Sequence, residues 1–144
     1  MNISILLPYK ENFSPEYPGA VSLFVYETSK ISKYKKNIKV FGNTNFKKKF
    51  NIRYINIDLN KDLFSSQTKL YVNKFINLEK KYESSIIEIH NRPSYIHILD
   101  KKLKNKIFTL YFHNDPLSMD GSKTIDQRIT LLKKCYKIIF NSSW

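Results

Sequence analysis

The residues best suited to chemistry are two histidines that stand in similar local sequences. His90 and His113 each follow a short apolar run, and the segments that they begin read His-Asn-Arg-Pro and His-Asn-Asp-Pro. Histidine changes its charge near neutral pH, and its neighbours decide which ring nitrogen carries the hydrogen. His113 is our candidate catalytic residue, which would donate a hydrogen bond to an oxygen of a bound substrate. The alternative is a histidine that only ends a strand.

The residues beside the histidines could bind the same substrate. Arg92 could hold a phosphate or carboxylate through two parallel hydrogen bonds, or it could only cover the edge of a sheet. Asp115 could orient His113 or act as a base, although Asp-Pro is also an ordinary start of a turn. The candidate substrate-binding residues at these two positions are His90, Asn91, Arg92, Asn114 and Asp115.

A long connection, residues 8–19, follows the first apolar run and ends at a glycine. Gly19 directly precedes a helical pattern that begins near Ala20. A glycine lets the backbone approach a ligand, and the first N–H groups of a helix suit a phosphate or a sugar hydroxyl. We therefore add Gly19 and Ala20 to the candidate binding residues, together with Asn141 and Ser142 after the last apolar run.

Several other chemistries lack the residues that they require. Neither the three-glycine dinucleotide fingerprint nor a Gly-rich loop ending in Lys-Ser or Lys-Thr is present. The histidines are distant in sequence, and the single cysteine, Cys135, is expected to be buried in a helix, so we expect neither a metal site nor an internal disulfide. No serine stands in a Gly-x-Ser-x-Gly elbow. We expect Glu11 and Glu16 to be solvated loop residues and His97 to be structural.

Apolar runs of strand length alternate with helical patterns along the chain. The runs lie at residues 3–7, 38–41, 52–57, 86–89, 107–112 and 137–140. The fifth run is almost wholly apolar or aromatic, which predicts a strand covered on both faces. Helical spacing occurs at Val21, Phe24, Val25, Thr28 and Ile31, at Tyr71, Phe75, Leu78 and Tyr82, and at Tyr95, Ile96, Leu99 and Leu103, while a last helix runs through Ile129, Leu132 and Cys135.

Two helix starts are marked by capping signals. We expect Asn91 to cap the third helix, with Pro93 in its first turn. Thr124 and Gln127 form a capping box that opens the last helix. The connection at residues 42–51 looks too short for a helix of normal length.

This alternation predicts a doubly wound, mostly parallel, Rossmann-like α/β sheet flanked by helices, in one domain that spans residues 1–144. In the common strand order 3-2-1-4-5-6, the first strand lies beside the fourth, and the fifth lies beyond the fourth. Ligands in such sheets bind outside the carboxyl ends of the strands, where the order reverses. The candidate residues above would then lie at one edge.

The chain has a formal net charge of +13, carried mainly by lysine. The accompanying wealth of Asn and Ile suggests a coding bias as much as a binding surface, and the aromatic residues fall at core positions, which disfavours a nucleic-acid partner. Most lysines precede strands and should lie at the edge opposite the ligand, beside helix C-termini. The absence of a secretion signal predicts a cytoplasmic protein, and peripheral contact with an anionic inner membrane face stays open.

The chain resembles the N-terminal domain of family 4 retaining glycosyltransferases, which have the GT-B fold. The resemblance rests on ISILLPYKENFSPEYPGAVSLFV, EIHNRP, LYFHNDP and KIIFNSSW, which occur in the expected order along the whole chain. It implies that Gly19 lies near the donor phosphate, that His113 lies near the transferred sugar, and that His90 and Asn91 line the cleft. Where family members often have two adjacent glycines, this chain has Gly19-Ala20.

The resemblance also implies partners. A nucleotide-sugar would be the donor co-substrate, with no cofactor, and a saccharide or lipid-linked molecule would be the acceptor. The family binds the donor in a second Rossmann-like domain, for which 144 residues leave no room, so we expect a fragment that is inactive without that domain. The alternative is a non-catalytic carbohydrate- or phosphate-binding domain of the same fold.

Overall fold

Six strands form one sheet in the computed structural model, which describes residues 1–59 and 66–141. The strands are β1 (Ile3–Leu6), β2 (Ile38–Gly42), β3 (Tyr54–Asn56), β4 (Ile86–His90), β5 (Ile107–Phe112) and β6 (Lys137–Phe140). They lie in the order β3-β2-β1-β4-β5-β6, and every neighbouring pair is parallel. The predicted Rossmann-like α/β fold and its strand order are confirmed.

Four helices flank the sheet in the described part of the chain. They are α1 (Ala20–Ile31), α2 (Gln67–Tyr82), α3 (Pro93–Lys102) and α4 (Ile125–Lys134), and two short 3₁₀ turns occur at Lys35–Asn37 and Pro116–Ser118. Residues 43–53, which connect β2 to β3, contain no helix, as the sequence predicts. Among the described residues, no helix combines the length and the apolar character that crossing a membrane requires.

The alternating side chains of the strands create two separate apolar cores. On one face, the inward residues of β1, β4 and β5 pack against α2, α3 and α4, and this core includes Leu6, Phe41, Tyr71, Phe75, Ile87, Ile89, Tyr95, Leu99 and Leu110. On the other face, Ile5, Leu7 and Val40 pack against Val21 and Val25 of α1. Each such fully buried large side chain contributes roughly 1.5–3 kcal/mol of apolar transfer free energy.

Strand β5 is covered less evenly than its composition predicts. Phe108, Leu110 and Phe112 are buried on the face of α2, α3 and α4, but Thr109 and Tyr111 on the face of α1 are only half-buried. The reason is that α1 is the only helix of the described residues that covers this second face. The side chains at the carboxyl end of β5 therefore remain partly exposed on the α1 face.

The buried stripes of α1 and α4 differ from the predicted ones. In α1 the buried residues are Val21, Ser22, Val25 and Ser29, whereas Thr28 is exposed and Ile31 is 82% exposed. At 100° per residue, a stripe through positions 22, 25 and 29 faces away from position 31.

In α4 the buried residue is Leu131, while Leu132 is 69% exposed and Ile129 is also exposed. Helix α4 packs only on the outer strands of the sheet. A narrow stripe of apolar side chains is therefore enough to cover the contact. Cys135 ends α4 as its C-cap residue and is half-buried, rather than lying inside the helix. Burial still raises the pKa of the Cys135 thiol to about 12, which keeps it protonated and unreactive.

One predicted cap is confirmed and the other is wrong. Thr124 Oγ1 accepts from the backbone N–H of Gln127, and the Gln127 side chain accepts from Thr124 N–H, both at 3.2 Å. At the start of α3, however, the N-cap residue is Arg92, not Asn91. Asn91 has a left-handed backbone (φ 51°), and its side chain is used elsewhere, as described below.

Candidate functional site

Side chains from β4, β5 and β6 meet at the carboxyl edge of the sheet in a hydrogen-bonded row. His90 Nε2 lies 2.8 Å from Glu88 Oε1, and His90 Nδ1 lies 2.8 Å from His113 Nε2. On the outer side, His113 Nδ1 lies 2.6 Å from Asn141 Nδ2. We call these four residues, Glu88, His90, His113 and Asn141, the histidine network. Three of them are candidates from the sequence, and the structure brings them together.

The strands explain why these residues meet. Glu88 and His90 are two positions apart in β4, so both side chains project from the face of α1. His113 directly follows β5 and Asn141 directly follows β6, and both strands are parallel to β4 and successive in the sheet. Sequence reasoning missed Glu88. Its signal was a carboxylate within the otherwise apolar run IIEI, at the spacing that puts it on the same face as His90.

Aromatic rings enclose the two imidazoles. Tyr111 stacks on His90 with ring centres 4.9 Å apart and planes 8° from parallel. Phe24 of α1 meets His113 edge-on at 4.9 Å. His90 is completely buried and His113 is half-buried, so only the outer ring is near solvent. Rings held in this way cannot turn without breaking several contacts.

The environment keeps His113 neutral at physiological pH. Burial, together with the neighbouring His90 and against the opposing charge of Glu88, lowers the pKa of His113 to about 4. Burial and the charge of Glu88 raise the pKa of the Tyr111 hydroxyl. His113 therefore has one ring nitrogen that donates and one that accepts a hydrogen bond.

Asn91 ties the ends of β4 and β5 together. Its backbone N–H donates to Tyr111 O at 2.8 Å, and its side-chain Oδ1 accepts from the backbone N–H of His113 at 2.7 Å. Asparagine is one of the few residues that adopt the left-handed backbone at modest cost. Asn91 thus holds the backbone of the candidate catalytic residue.

A cleft of about 490 Å³ opens beside Asn91. Three residues predicted from the sequence line it, Asn91, Arg92 and Asn114. The other lining residues are Thr68, Ser94, Ser118, Met119, Asp120 and Lys123, which sequence reasoning did not find because no motif marks them. The lining is mostly hydroxyl, amide and charged groups. Arg92 Nη1 donates to Asn91 O at 2.9 Å, and the Arg92 side chain also hydrogen-bonds the Tyr95 hydroxyl.

Gly121 brings the wall of this cleft close to the start of α3. It has a left-handed backbone (φ 99°), and a Cβ there would lie 2.5 Å from Ser94 N. The carbonyl oxygen of Gly121 lies 3.2 Å from His97 Nε2, in agreement with the structural role predicted for that histidine.

A second cleft, of about 580 Å³, lies beside the ends of β1 and β2. Its lining is Tyr9, Lys10, Asn12, Asn43, Asn45, Leu59 and Gln67. None of these residues is among the candidate binding residues from the sequence, although Tyr9, Lys10 and Asn12 belong to the long connection, residues 8–19, that follows the first strand. Three asparagine amides beside a tyrosine ring are groups that bind sugar hydroxyls well.

The N-terminus of α1 holds a carboxylate of the chain itself. Glu11 Oε1 accepts from the backbone N–H of Ser22 at 3.0 Å, so Glu11 is not the solvated residue that we expected. A Cβ on Gly19 would lie 1.9 Å from Glu11 Oε1, so the glycine makes room for this side chain. Gly19 and Ala20 do not line the cleft beside Arg92.

The remaining candidates are Asp115 and Ser142. Asp115 Oδ1 accepts from the backbone N–H of Leu117 at 2.8 Å and caps the second 3₁₀ turn. It does not orient His113, because His90 and Asn141 occupy both ring nitrogens of that histidine. Ser142 lies outside the described residues. Within residues 1–59 and 66–141, no three His, Cys, Asp or Glu side chains are arranged to hold a metal ion.

Comparison of the chain with models of protein families, with curated proteins and with solved structures found no match in any of the three.

Proposed function

We propose that this chain is the acceptor-side half of a nucleotide-sugar-dependent retaining glycosyltransferase, which transfers a sugar to a saccharide or lipid-linked acceptor. The observation that carries the proposal is the histidine network, in which His113 stands at the carboxyl edge of β5 with an ordered, neutral imidazole. In a Rossmann-like sheet this edge is where ligands bind.

The groups around the network support a carbohydrate ligand. Amides and hydroxyls line both clefts, and they pair with sugar hydroxyls as donors and as acceptors. Arg92, at the first cleft, can pair with two oxygens of a phosphate, as a nucleotide-sugar or a lipid-linked acceptor would present. The resemblance of the EIHNRP and LYFHNDP segments to family 4 enzymes points to the same function.

The reaction needs a partner domain. The acceptor hydroxyl oxygen forms a bond to the anomeric carbon of the sugar, the bond from that carbon to the diphosphate breaks, and the hydroxyl proton leaves with the nucleoside diphosphate. Most of the rate enhancement in such a reaction comes from holding two substrates in one closed site. We therefore propose that the donor is held by a second domain, and that this chain by itself binds the acceptor without transferring sugar.

A second candidate function is favoured by one observation. The Glu11 carboxylate fills the N-terminus of α1, the position that the resemblance assigns to the donor phosphate. A domain that only binds carbohydrate or phosphate, without catalysis, would have no need to keep this position free.

The test begins by identifying the donor-binding domain, as a continuation of the gene or as a separate protein that copurifies. Transfer of a labelled sugar is then measured with a panel of nucleotide-sugars and acceptors. We expect His113→Ala to lower kcat about 100-fold, the usual cost of losing one group that contacts the reacting centre. His97→Gln, a histidine substitution in α3 outside the network, serves as the matched control and should keep the wild-type rate.

Two results would overturn the proposal. If His113→Ala transfers sugar as fast as His97→Gln, then His113 has no part in the reaction. If the protein binds saccharides but no donor-binding domain exists, the non-catalytic alternative is correct.

A further inference from the structure

We infer that Glu88 and His90 are positioning residues that fix the hydrogen positions of His113, so that its outer ring nitrogen, Nδ1, accepts a hydrogen bond instead of donating one. The catalytic relevance of this arrangement rests on the proposed function, but the arrangement itself follows from the geometry of the histidine network. It reverses the expectation from the sequence, in which His113 donates to the substrate.

The inner end of the network determines the state of His90. An ionised carboxylate has no hydrogen to give, so Glu88 Oε1 can only accept, and His90 Nε2 must carry the hydrogen of their 2.8 Å contact. When His90 carries only this one N–H, as in the uncharged imidazole, its Nδ1 is an acceptor. The 2.8 Å contact between the rings then requires His113 Nε2 to be the donor.

The outer end of the network agrees with this direction. With its hydrogen on Nε2, neutral His113 has a free lone pair on Nδ1, and Asn141 presents its amide nitrogen to that atom at 2.6 Å. An amide nitrogen only donates. The Glu88 carboxylate at the inner end thus sets one direction for all three hydrogen bonds, and the Asn141 amide, which can donate or accept, satisfies it by donating through its nitrogen.

Packing prevents the network from reversing one ring at a time. His90 is completely buried, and Tyr111 lies flat against it. Phe24 blocks His113 at 4.9 Å. A single reversed imidazole would set two donors or two acceptors against each other, and buried groups left unpaired in this way destabilise the folded state.

The arrangement selects the group that can replace Asn141. Asn141 is exposed and directly follows β6, so a ligand can displace its side chain from His113. The incoming group must donate a hydrogen bond to Nδ1. A hydroxyl meets this requirement, and an oxygen that can only accept, such as that of a sulfate or fully ionised phosphate, does not.

The test is the tautomer of each histidine, measured by long-range ¹H–¹⁵N correlation NMR of the ¹⁵N-histidine-labelled protein. In the wild-type protein we expect hydrogen on Nε2 and none on Nδ1 in both His90 and His113. Hydrogen on His113 Nδ1 would overturn the inference.

A double substitution provides the reversal experiment. Glu88→Gln supplies an amide donor at the inner end, and Asn141→Asp supplies a carboxylate that can only accept at the outer end. We expect both network histidines to move their hydrogen to Nδ1 in the double variant. His97, whose Nε2 faces a carbonyl oxygen, is the control and should keep its wild-type signals. If the double variant folds with unchanged network tautomers, the two ends do not set the direction.

If the double variant does not fold, the wild-type spectra decide, together with a ligand probe. Sulfate, compared with chloride at equal ionic strength, should leave the His113 Nδ1 signal unchanged, and a selective shift of that signal would overturn the inference. The outcomes separate this inference from the proposed function. The expected tautomers in a protein without transfer activity overturn only the function, whereas the opposite tautomers in an active enzyme overturn only the inference.

Discussion

Asparagine takes three different roles at the carboxyl edge, and only its surroundings distinguish them. Asn91 adopts a left-handed backbone and accepts from His113 N–H. Asn141 presents its amide nitrogen to the ring of the same histidine. Asn43 Nδ2 donates to Ile57 O at 2.8 Å and braces the wall of the second cleft. At the scale of single residues, function therefore depends on which partner each donor or acceptor meets.

His113 should make the stability of the folded protein depend on pH. Its pKa is about 4 in the folded chain and about 6.5 when unfolded, so between these values only the unfolded chain takes up the proton. The contribution of neutral His113 to the free energy of unfolding is thus fully present above about pH 6.5 and is lost as the pH falls towards 4. Partial exposure of the ring reduces the expected loss to on the order of 1 kcal/mol.

Urea unfolding of the wild-type protein and of His113→Asn at a series of pH values measures this effect. We expect the variant to lose less stability than the wild type between pH 6.5 and 4. Between pH 7 and 8, the free energy of unfolding should change with pH in parallel for the two proteins, and this range serves as the control. Parallel profiles over the whole range would show that the folded-state pKa of His113 is not lowered.

At the scale of elements, helix starts are where prediction and structure diverge most. The capping box at Thr124 and Gln127 is local, and it was predicted correctly. The N-terminus of α1 is instead satisfied by Glu11, eleven positions before the Ser22 N–H that it accepts from. The loop before Ala20 folds back so that Glu11 reaches the first turn of the helix. No pattern of adjacent residues predicts this contact.

The contact between Glu11 and the start of α1 predicts a strong coupling between two substitutions. Gly19→Ala should displace the Glu11 carboxylate, because the new Cβ would lie 1.9 Å from Oε1. We expect a cost of about 1 kcal/mol, the usual value of a lost helix cap, and a similar cost for Glu11→Ala.

The double variant should cost little more than either single variant, because both remove the same interaction. Equilibrium unfolding in urea measures all three free energies. Glu16→Ala, in the same loop, is the matched control and should leave the stability unchanged within about 0.5 kcal/mol. Simple additivity of Gly19→Ala and Glu11→Ala would show that the carboxylate does not cap the helix.

At the scale of the whole molecule, the lysines of the last helical turns lie at the edge of the sheet opposite the candidate site. The last turns of the helices carry lysines, Lys30 in α1, Lys80 and Lys81 in α2, Lys101 and Lys102 in α3, and Lys133 and Lys134 in α4. These turns precede the amino ends of the next strands, as predicted, and the cations stabilise the negative ends of the helix dipoles. An anionic surface would therefore attract the edge at the amino ends of the strands. The clefts at the opposite edge would stay accessible.

Binding to vesicles rich in phosphatidylserine tests this asymmetry. Lys101→Gln combined with Lys102→Gln should weaken binding at least about tenfold, since each lysine near the surface contributes about 1 kcal/mol. The matched control is Lys47→Gln combined with Lys48→Gln, two exposed lysines in the loop after β2, which should bind like the wild type. Equal weakening of vesicle binding by both pairs would mean that the protein binds the membrane in no preferred orientation.

The sequence alone was sufficient for the sheet, because strand and helix periodicities, with right-handed crossovers, leave few arrangements of six strands. It also located His90, His113 and Asn141 at one edge.

Only the tertiary structure could supply the hydrogen-bonded row of the histidine network. His90 and His113 are 23 positions apart, His113 and Asn141 are 28 positions apart, and Glu88 lies in a strand that the sequence analysis treated as apolar. The same holds for Glu11 at α1 and for the exposed Ile31 and Leu132. Periodicity gives the phase of an element to within a residue or two, but contacts between distant groups are decided when the elements pack.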